Sequence, residues 1–170
     1  INFFLNQINP ISVNYLPDDI FVEGGDVVVF NEYLFIGFSR KEQFLNYQVS
    51  RTNEQALDFF KKQFPDKKII GFDLKKSDTI SSENCLHLDC CFQPLGLNHV
   101  IVYPNGFRCK KDVDLIYDIF GEKHVILIDK KEMSNMFSNI FSISKNVIVS
   151  EKKFQRLNIL LRKNGYNVEE

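Results

Sequence analysis

Phe21-Val22-Glu23-Gly24-Gly25-Asp26-Val27-Val28-Val29-Phe30, then Asn31-Glu32 and Tyr33-Leu34-Phe35-Ile36-Gly37-Phe38, reads as a glycine turn feeding two paired strands. The valine run and the aromatic-rich run both favour extended backbone. Two polar residues between them suit a tight hairpin. Two glycines before the first strand let the chain turn sharply and set Glu23 at a strand mouth, where functional side chains often sit. After a loop from Ser39 to Ser50, Thr52 is placed to cap a helix from Asn53 to Phe64, with Ala56, Phe59 and Phe60 on one face. Pro65-Asp66 ends that helix, and Lys68-Ile69-Ile70-Gly71-Phe72-Asp73-Leu74 reads as a buried strand.

The same order recurs downstream. Asp89 to Leu95 reads as a strand, Gly96-Leu97-Asn98 as a turn and His99 to Tyr103 as the return strand. A helix follows from Lys111 to Phe120, then a strand from His124 to Ile128. A third, partial block leads from Phe141-Ser142-Ile143 to the strand Asn146 to Val149. There Ser150 is placed to cap a helix from Glu151 to Lys163, Asn164-Gly165 closes it, and Tyr166 starts another strand. Asp26 and Asp89 fall at equivalent places. The expected fold class is α/β, built from repeated strand-strand-helix-strand units. A period of about 60 residues suggests part of a propeller or ring. A doubly wound sheet is the rival, but it needs neither the hairpins nor the matched aspartates.

The 170 residues suffice for one domain with a core, so 1–170 is expected to be a single unit. Hydrophobic residues make up 44% and charged residues 25%, an ordinary globular balance. The 17 phenylalanines read as core filling. The net charge of -1 gives no basic surface for nucleic acid. No apolar run approaches the roughly 20 residues of a membrane span. Cys85, Cys90, Cys91 and Cys109 form no spaced disulfide framework, which fits a reducing, cytoplasmic setting. Both ends of the chain look cut.

Glu23, Asp26, His87 and Asp89 are the candidate catalytic and binding residues. On a strand, His87 and Asp89 in Leu86-His87-Leu88-Asp89 would share a face, about 6–7 Å apart. A histidine beside a carboxylate can act as acid and base near neutral pH. A core histidine and a glycine turn with solvated acids are the plainer alternatives. Arg51, before a helix start, could clamp a substrate carboxylate, or could simply be a surface arginine. His99 and His124 read as structural, and Cys90 and Cys91 as small buried hydrophobes. No metal-ligand spacing is present.

Phe21-Val22-Glu23-Gly24-Gly25-Asp26-Val27 resembles the EGGD element of the guanidine-modifying superfamily, which includes arginine deiminases, dimethylarginine dimethylaminohydrolases and amidinotransferases. Leu86-His87-Leu88-Asp89, with Phe92 and Pro94-Leu95-Gly96, resembles its histidine-bearing strand. Arg51-Thr52-Asn53 and the segment from Ser138-Asn139 to Asn146-Val147 resemble two further elements, in the same order. The resemblance implies a five-unit α/β-propeller, of which roughly three units are present. It implies a cofactor-free mechanism in which a cysteine attacks the guanidinium carbon to give a thiouronium adduct. In that scheme Glu23 orients His87, His87 protonates the departing amine and then activates water, and Asp89 holds the guanidinium nitrogens. Asp26 and Arg51 are further substrate-binding candidates.

The resemblance also implies that the nucleophilic cysteine lies beyond Glu170, so the segment by itself should be inactive and should expose sheet edges. The expected function is hydrolysis of the guanidino group of arginine or a substituted arginine. Rivals are an amidinotransferase and, in another class, a non-catalytic propeller that binds a partner. The expected partner is a small guanidino substrate, without nucleic acid or membrane, and a homodimer is compatible with the sequence.

Overall fold

The structure, a computed structural model, describes residues 15–170. Residues 1–14 of the expected single unit lie outside the described residues. The fold is mixed α/β. Strands β1 (Val27–Phe30), β2 (Tyr33–Phe38) and β3 (Lys68–Asp73) form the first sheet in that order. β1 and β2 pair antiparallel, with Val27 opposite Ile36, and β2 and β3 pair parallel, with Phe35 opposite Ile70. The second sheet joins β4 (Phe92–Pro94), β5 (Val100–Val102) and β6 (Val125–Leu127), and the third joins β7 (Phe141–Ser142), β8 (Val147–Val149) and β9 (Asn167–Glu169). Each sheet repeats the antiparallel-then-parallel arrangement. Helices Gln55–Gln63, Lys110–Phe120 and Gln155–Lys163 make the three parallel crossovers. The sheets share a strand order but do not close into a ring among the described residues.

The larger of two apolar clusters runs through all three sheets, and a smaller one, around Leu34, Ile36, Ala56 and Phe60, lies on the other face of the first sheet. Phe35 stacks on Phe72 at 5.6 Å between ring centroids and meets Phe92 edge-on at 4.9 Å. Phe107 meets Phe72 edge-on at 5.3 Å. Offset and edge-to-face arrangements such as these suit the ring quadrupoles. A core of phenylalanines therefore fastens the first sheet to the second. The second is tied to the third by polar contacts as well. His99 Nδ1 lies 3.1 Å from the Tyr166 hydroxyl, and Tyr166 also accepts from the Leu97 amide at 3.1 Å. His124 Nδ1 donates to the Phe120 carbonyl at 2.8 Å. Both histidines are thus held within the fold. After Asn164, Gly165 takes φ +88°, the left-handed stop read from the sequence.

Several local expectations are corrected. Residues 39–50 are not all loop, because Lys41–Asn46 is helical. The Ser39 amide donates to the Thr52 carbonyl at 2.9 Å, so this excursion leaves and rejoins the body at one point. Thr52 does not cap the helix, which begins at Gln55; its hydroxyl is drawn to a buried carboxylate instead. Ser150 likewise bonds Asn158 Oδ1 at 2.7 Å, and its helix begins only at Gln155. Leu88–Cys90 is a 3₁₀ turn rather than part of a strand, and the strand itself shrinks to Phe92–Pro94.

Candidate functional site

Two turns meet to make the site. Gly24–Asp26 is a 3₁₀ turn ahead of β1, and Leu88–Cys90 is a 3₁₀ turn ahead of β4. Asp26 welds them together. Its Oδ1 accepts the Leu88 amide at 3.0 Å and its Oδ2 accepts the Thr52 hydroxyl at 2.6 Å. Thr52 Oγ1 in turn accepts the Glu23 amide at 3.2 Å. Asn53 pins the entering chain by accepting the Phe21 amide at 3.1 Å and donating to the Asp19 carbonyl at 2.7 Å. Arg51-Thr52-Asn53 is therefore the seat on which the glycine turn rests.

That seat brings Glu23 to His87. Glu23 Oε2 lies 2.7 Å from His87 Nε2, and the two side chains are 46% and 20% exposed, so the pair faces outward. With Nε2–H donated to Glu23, Nδ1 is left as the ring's second nitrogen. Neither Gly24 nor Gly25 adopts the left-handed region, contrary to the conformational reading of that pair. Gly25 is required by contact instead, since a Cβ there would stand 2.9 Å from His87 Cβ and Cγ.

Asp89 is half-buried. Asn139 Nδ2 donates to its Oδ2 at 3.2 Å, and Ser138 Oγ donates to its backbone carbonyl at 2.8 Å. Burial raises its carboxyl above the usual range, opposed by His87, Cys90 and Asn139. His87, Asp89, Cys90, Asn139 and Met136 border a cavity of about 260 Å³. Arg51 Nε stands 3.9 Å from Glu23 Oε1, at the mouth of the site.

Of the expected residues, the structure gathers Glu23, His87, Asp89 and Arg51 at one place. Asp26, expected to bind substrate, has no exposed surface, and both its oxygens are engaged by the Thr52 hydroxyl and the Leu88 amide. Burial raises its carboxyl, while Thr52, Lys76 and His87 hold it down. The strand-face relation of His87 and Asp89 is also corrected, because the intervening 3₁₀ turn replaces the alternation of a strand. Cys85, Cys90 and Cys91 are buried. Desolvation pushes the Cys90 thiol up to about 12 and holds Cys91 well above the ordinary thiol range. Neither is a ready thiolate. Among the described residues, no group of three or more His, Cys, Asp or Glu side chains could hold a metal ion. No helix among them is long and apolar enough to cross a membrane. Asn139 belongs to a segment singled out only through the family resemblance, and Lys76 is the site neighbour the sequence did not reveal, since it sits in a lysine pair that looks solvated.

The chain is one of the guanidine-modifying proteins. The family described as N,N dimethylarginine dimethylhydrolase, eukaryotic, matches residues 5–163, and the chain belongs to it. The uncharacterized protein YkgA of Bacillus subtilis (strain 168) is 24% identical over 153 residues, covering 89% of this chain and 46% of that protein. The N-terminal domain of ArgZ, an arginine dihydrolase from the ornithine-ammonia cycle in cyanobacteria, superposes with a TM-score of 0.79 at 20% identity, covering 99% of this chain and 56% of that one. SxtG, an amidinotransferase from Microseira wollei in the saxitoxin biosynthetic pathway, gives a TM-score of 0.60 at 14% identity, covering 85% and 40%. At these identities the structural likeness is one of fold. The chain spans about half the length of the first two relatives.

Proposed function

We propose that the protein carrying this segment is a cofactor-free hydrolase acting on the guanidino group of arginine or a substituted arginine. The observation that carries the reading is the 2.7 Å contact of Glu23 with His87 beside a cavity lined by Asp89. Asp89 takes the guanidinium nitrogens, and a positioned carboxylate favours the cation and orients its carbon. A cysteine thiolate attacks that carbon. The departing amine leaves with a proton from His87, and the tetrahedral adduct collapses to a thiouronium. His87, now neutral, removes a proton from water, which attacks the same carbon and expels the sulfur as the ureido product forms. Glu23 stabilises the imidazolium in both half-reactions. In this reading Arg51, partly exposed beside Glu23, takes a substrate carboxylate.

In this reading the thiol comes from outside this segment; Cys90, the one cysteine bordering the cavity among the described residues, is buried, and desolvation pushes its thiol up. The reading also takes the three sheets as units of a five-unit ring. The test is to express the complete reading frame and supply arginine and N-methylated arginines with no amine acceptor. A ureido product supports the hydrolase. Product only when an acceptor amine is added replaces it with an amidinotransferase. No turnover from a folded, full-length protein replaces it with a binding module.

A further inference from the structure

Lys76 is 6% exposed, although it carries a charged head. Its Nζ donates to the Cys85 carbonyl at 2.8 Å and the Leu86 carbonyl at 2.7 Å. These two carbonyls lead directly into His87. On the far side of His87, the Leu88 amide is held by Asp26 Oδ1 at 3.0 Å. His87 therefore sits between two fixed pieces of backbone, one gripped by a buried cation and one by a buried anion.

A buried ammonium is costly unless its donors are used and an opposite charge is near. Two of the Lys76 donors are used, and Asp26 is a buried opposite charge that acts on it. Burial pulls the Lys76 ammonium down from its ordinary range, and Asp26 is the leading influence that holds it up. The attraction is mutual, since Lys76 also lowers Asp26. A methionine would fill similar space but leave two enclosed carbonyls without their donor.

We infer that Lys76 and Asp26 are positioning residues for His87, gripping the backbone on either side of it so that the ring is presented to Glu23. The inference rests on the acid-base reading of His87 given above. Neither residue touches substrate. Asp26 is wholly enclosed, and the head of Lys76 is turned to carbonyl groups. The same Asp26 carboxylate also holds Thr52, which holds the Glu23 amide. Asp26 thus registers both members of the Glu23–His87 contact, and Lys76 holds the backbone that leads into His87.

The test is NMR of the histidine rings in this chain, whose only three histidines are His87, His99 and His124. In the native protein the His87 Nε2 proton is expected as a slowly exchanging, hydrogen-bonded resonance. In Lys76→Met that resonance is expected to be lost, with His99 and His124 unchanged as internal references for the fold. Lys76→Arg is expected to keep it, because a guanidinium also donates and Lys76 borders a cavity of about 640 Å³ that can take the extra bulk. Where Lys76→Met does not fold, the neutral but donating Lys76→Gln replaces it and is expected to broaden or lose the same resonance. An unchanged His87 resonance in a folded Lys76→Met or Lys76→Gln overturns the inference. No turnover enters these readouts, so their failure is distinct from failure of the hydrolase reading, which a product assay decides.

Discussion

His87 Nε2 lies 2.7 Å from Glu23 Oε2, although 64 residues separate them in the chain. The contact exists because Asp26 joins the turn behind Glu23 to the turn behind His87 through one backbone amide. An imidazole with one nitrogen on a carboxylate is suited to shuttle protons near neutral pH. Replacing Glu23 with Gln removes the charge but keeps the size. On the hydrolase reading, the expected result in the complete protein is a fall in kcat of about 10²–10⁴-fold with an unchanged fold. Steady-state kinetics and circular dichroism check both halves. A variant retaining wild-type kcat contradicts the role of Glu23.

Gly25→Ala tests the packing of the two turns. The new methyl group meets His87 Cβ and Cγ at 2.9 Å, closer than side chains approach in folded proteins. Either the ring or the glycine turn must move. The expected cost is about 1–3 kcal/mol in denaturant unfolding, together with displacement of His87 from Glu23. Wild-type stability in this variant would show that the turns are looser than the structure has them.

The parts legible in the sequence are those specified by local chemistry. The hairpin around Asn31-Glu32 follows from strand-forming runs on either side of a two-residue turn, and Asn31 takes a left-handed φ of +50° there. Glu23, His87 and Asp89 are visible because their strings are distinctive as well as polar. What is not legible is set by contacts between distant residues. Asp89-Cys90-Cys91 has the look of a strand, yet Asp26, 62 residues before Leu88, takes the Leu88 amide. The Cys90 amide folds back on the His87 carbonyl at 3.2 Å. Thr52 looks like a cap because caps are threonine-rich, but the Asp26 carboxylate outcompetes the helix for its hydroxyl. Asp26 itself resembles Asp89 in sequence position but differs in burial and in its partners.

Asp89→Asn should separate stability from function. Burial raises the Asp89 carboxyl above its reference value of 3.8. The folded state therefore holds that proton more tightly than the unfolded state, and stability is lost as pH rises from 3.8 through the folded value. Asparagine does not ionise. The variant is expected to melt higher than wild type at neutral pH, with the advantage shrinking as pH falls towards 3.8, and, on the hydrolase reading, to lose turnover in the complete protein. Thermal melts across that range check the sign. A neutral-pH melting temperature below wild type contradicts it.

Phe92→Ala should show how far the aromatic core governs the fold. Phe92 is fully buried and packs against Phe35 and Phe72 at 4.9 and 5.3 Å. Removing a ring from such a site costs about 3–5 kcal/mol, a large share of a typical domain's stability. Phe141→Ser, at a position 68% exposed, is expected to change stability by less than about 0.5 kcal/mol. Equal losses in the two variants would contradict the placement of the core.

The most direct measurement is the turnover of the complete protein and its His87→Ala variant, side by side, on arginine and N-methylated arginines without an amine acceptor. The expected result is a ureido product from the native protein and a loss of about 10²–10⁴-fold or more in the variant, with the fold intact. Equal product formation by the two proteins would contradict the assignment of His87, and no product from either would contradict the hydrolase reading itself.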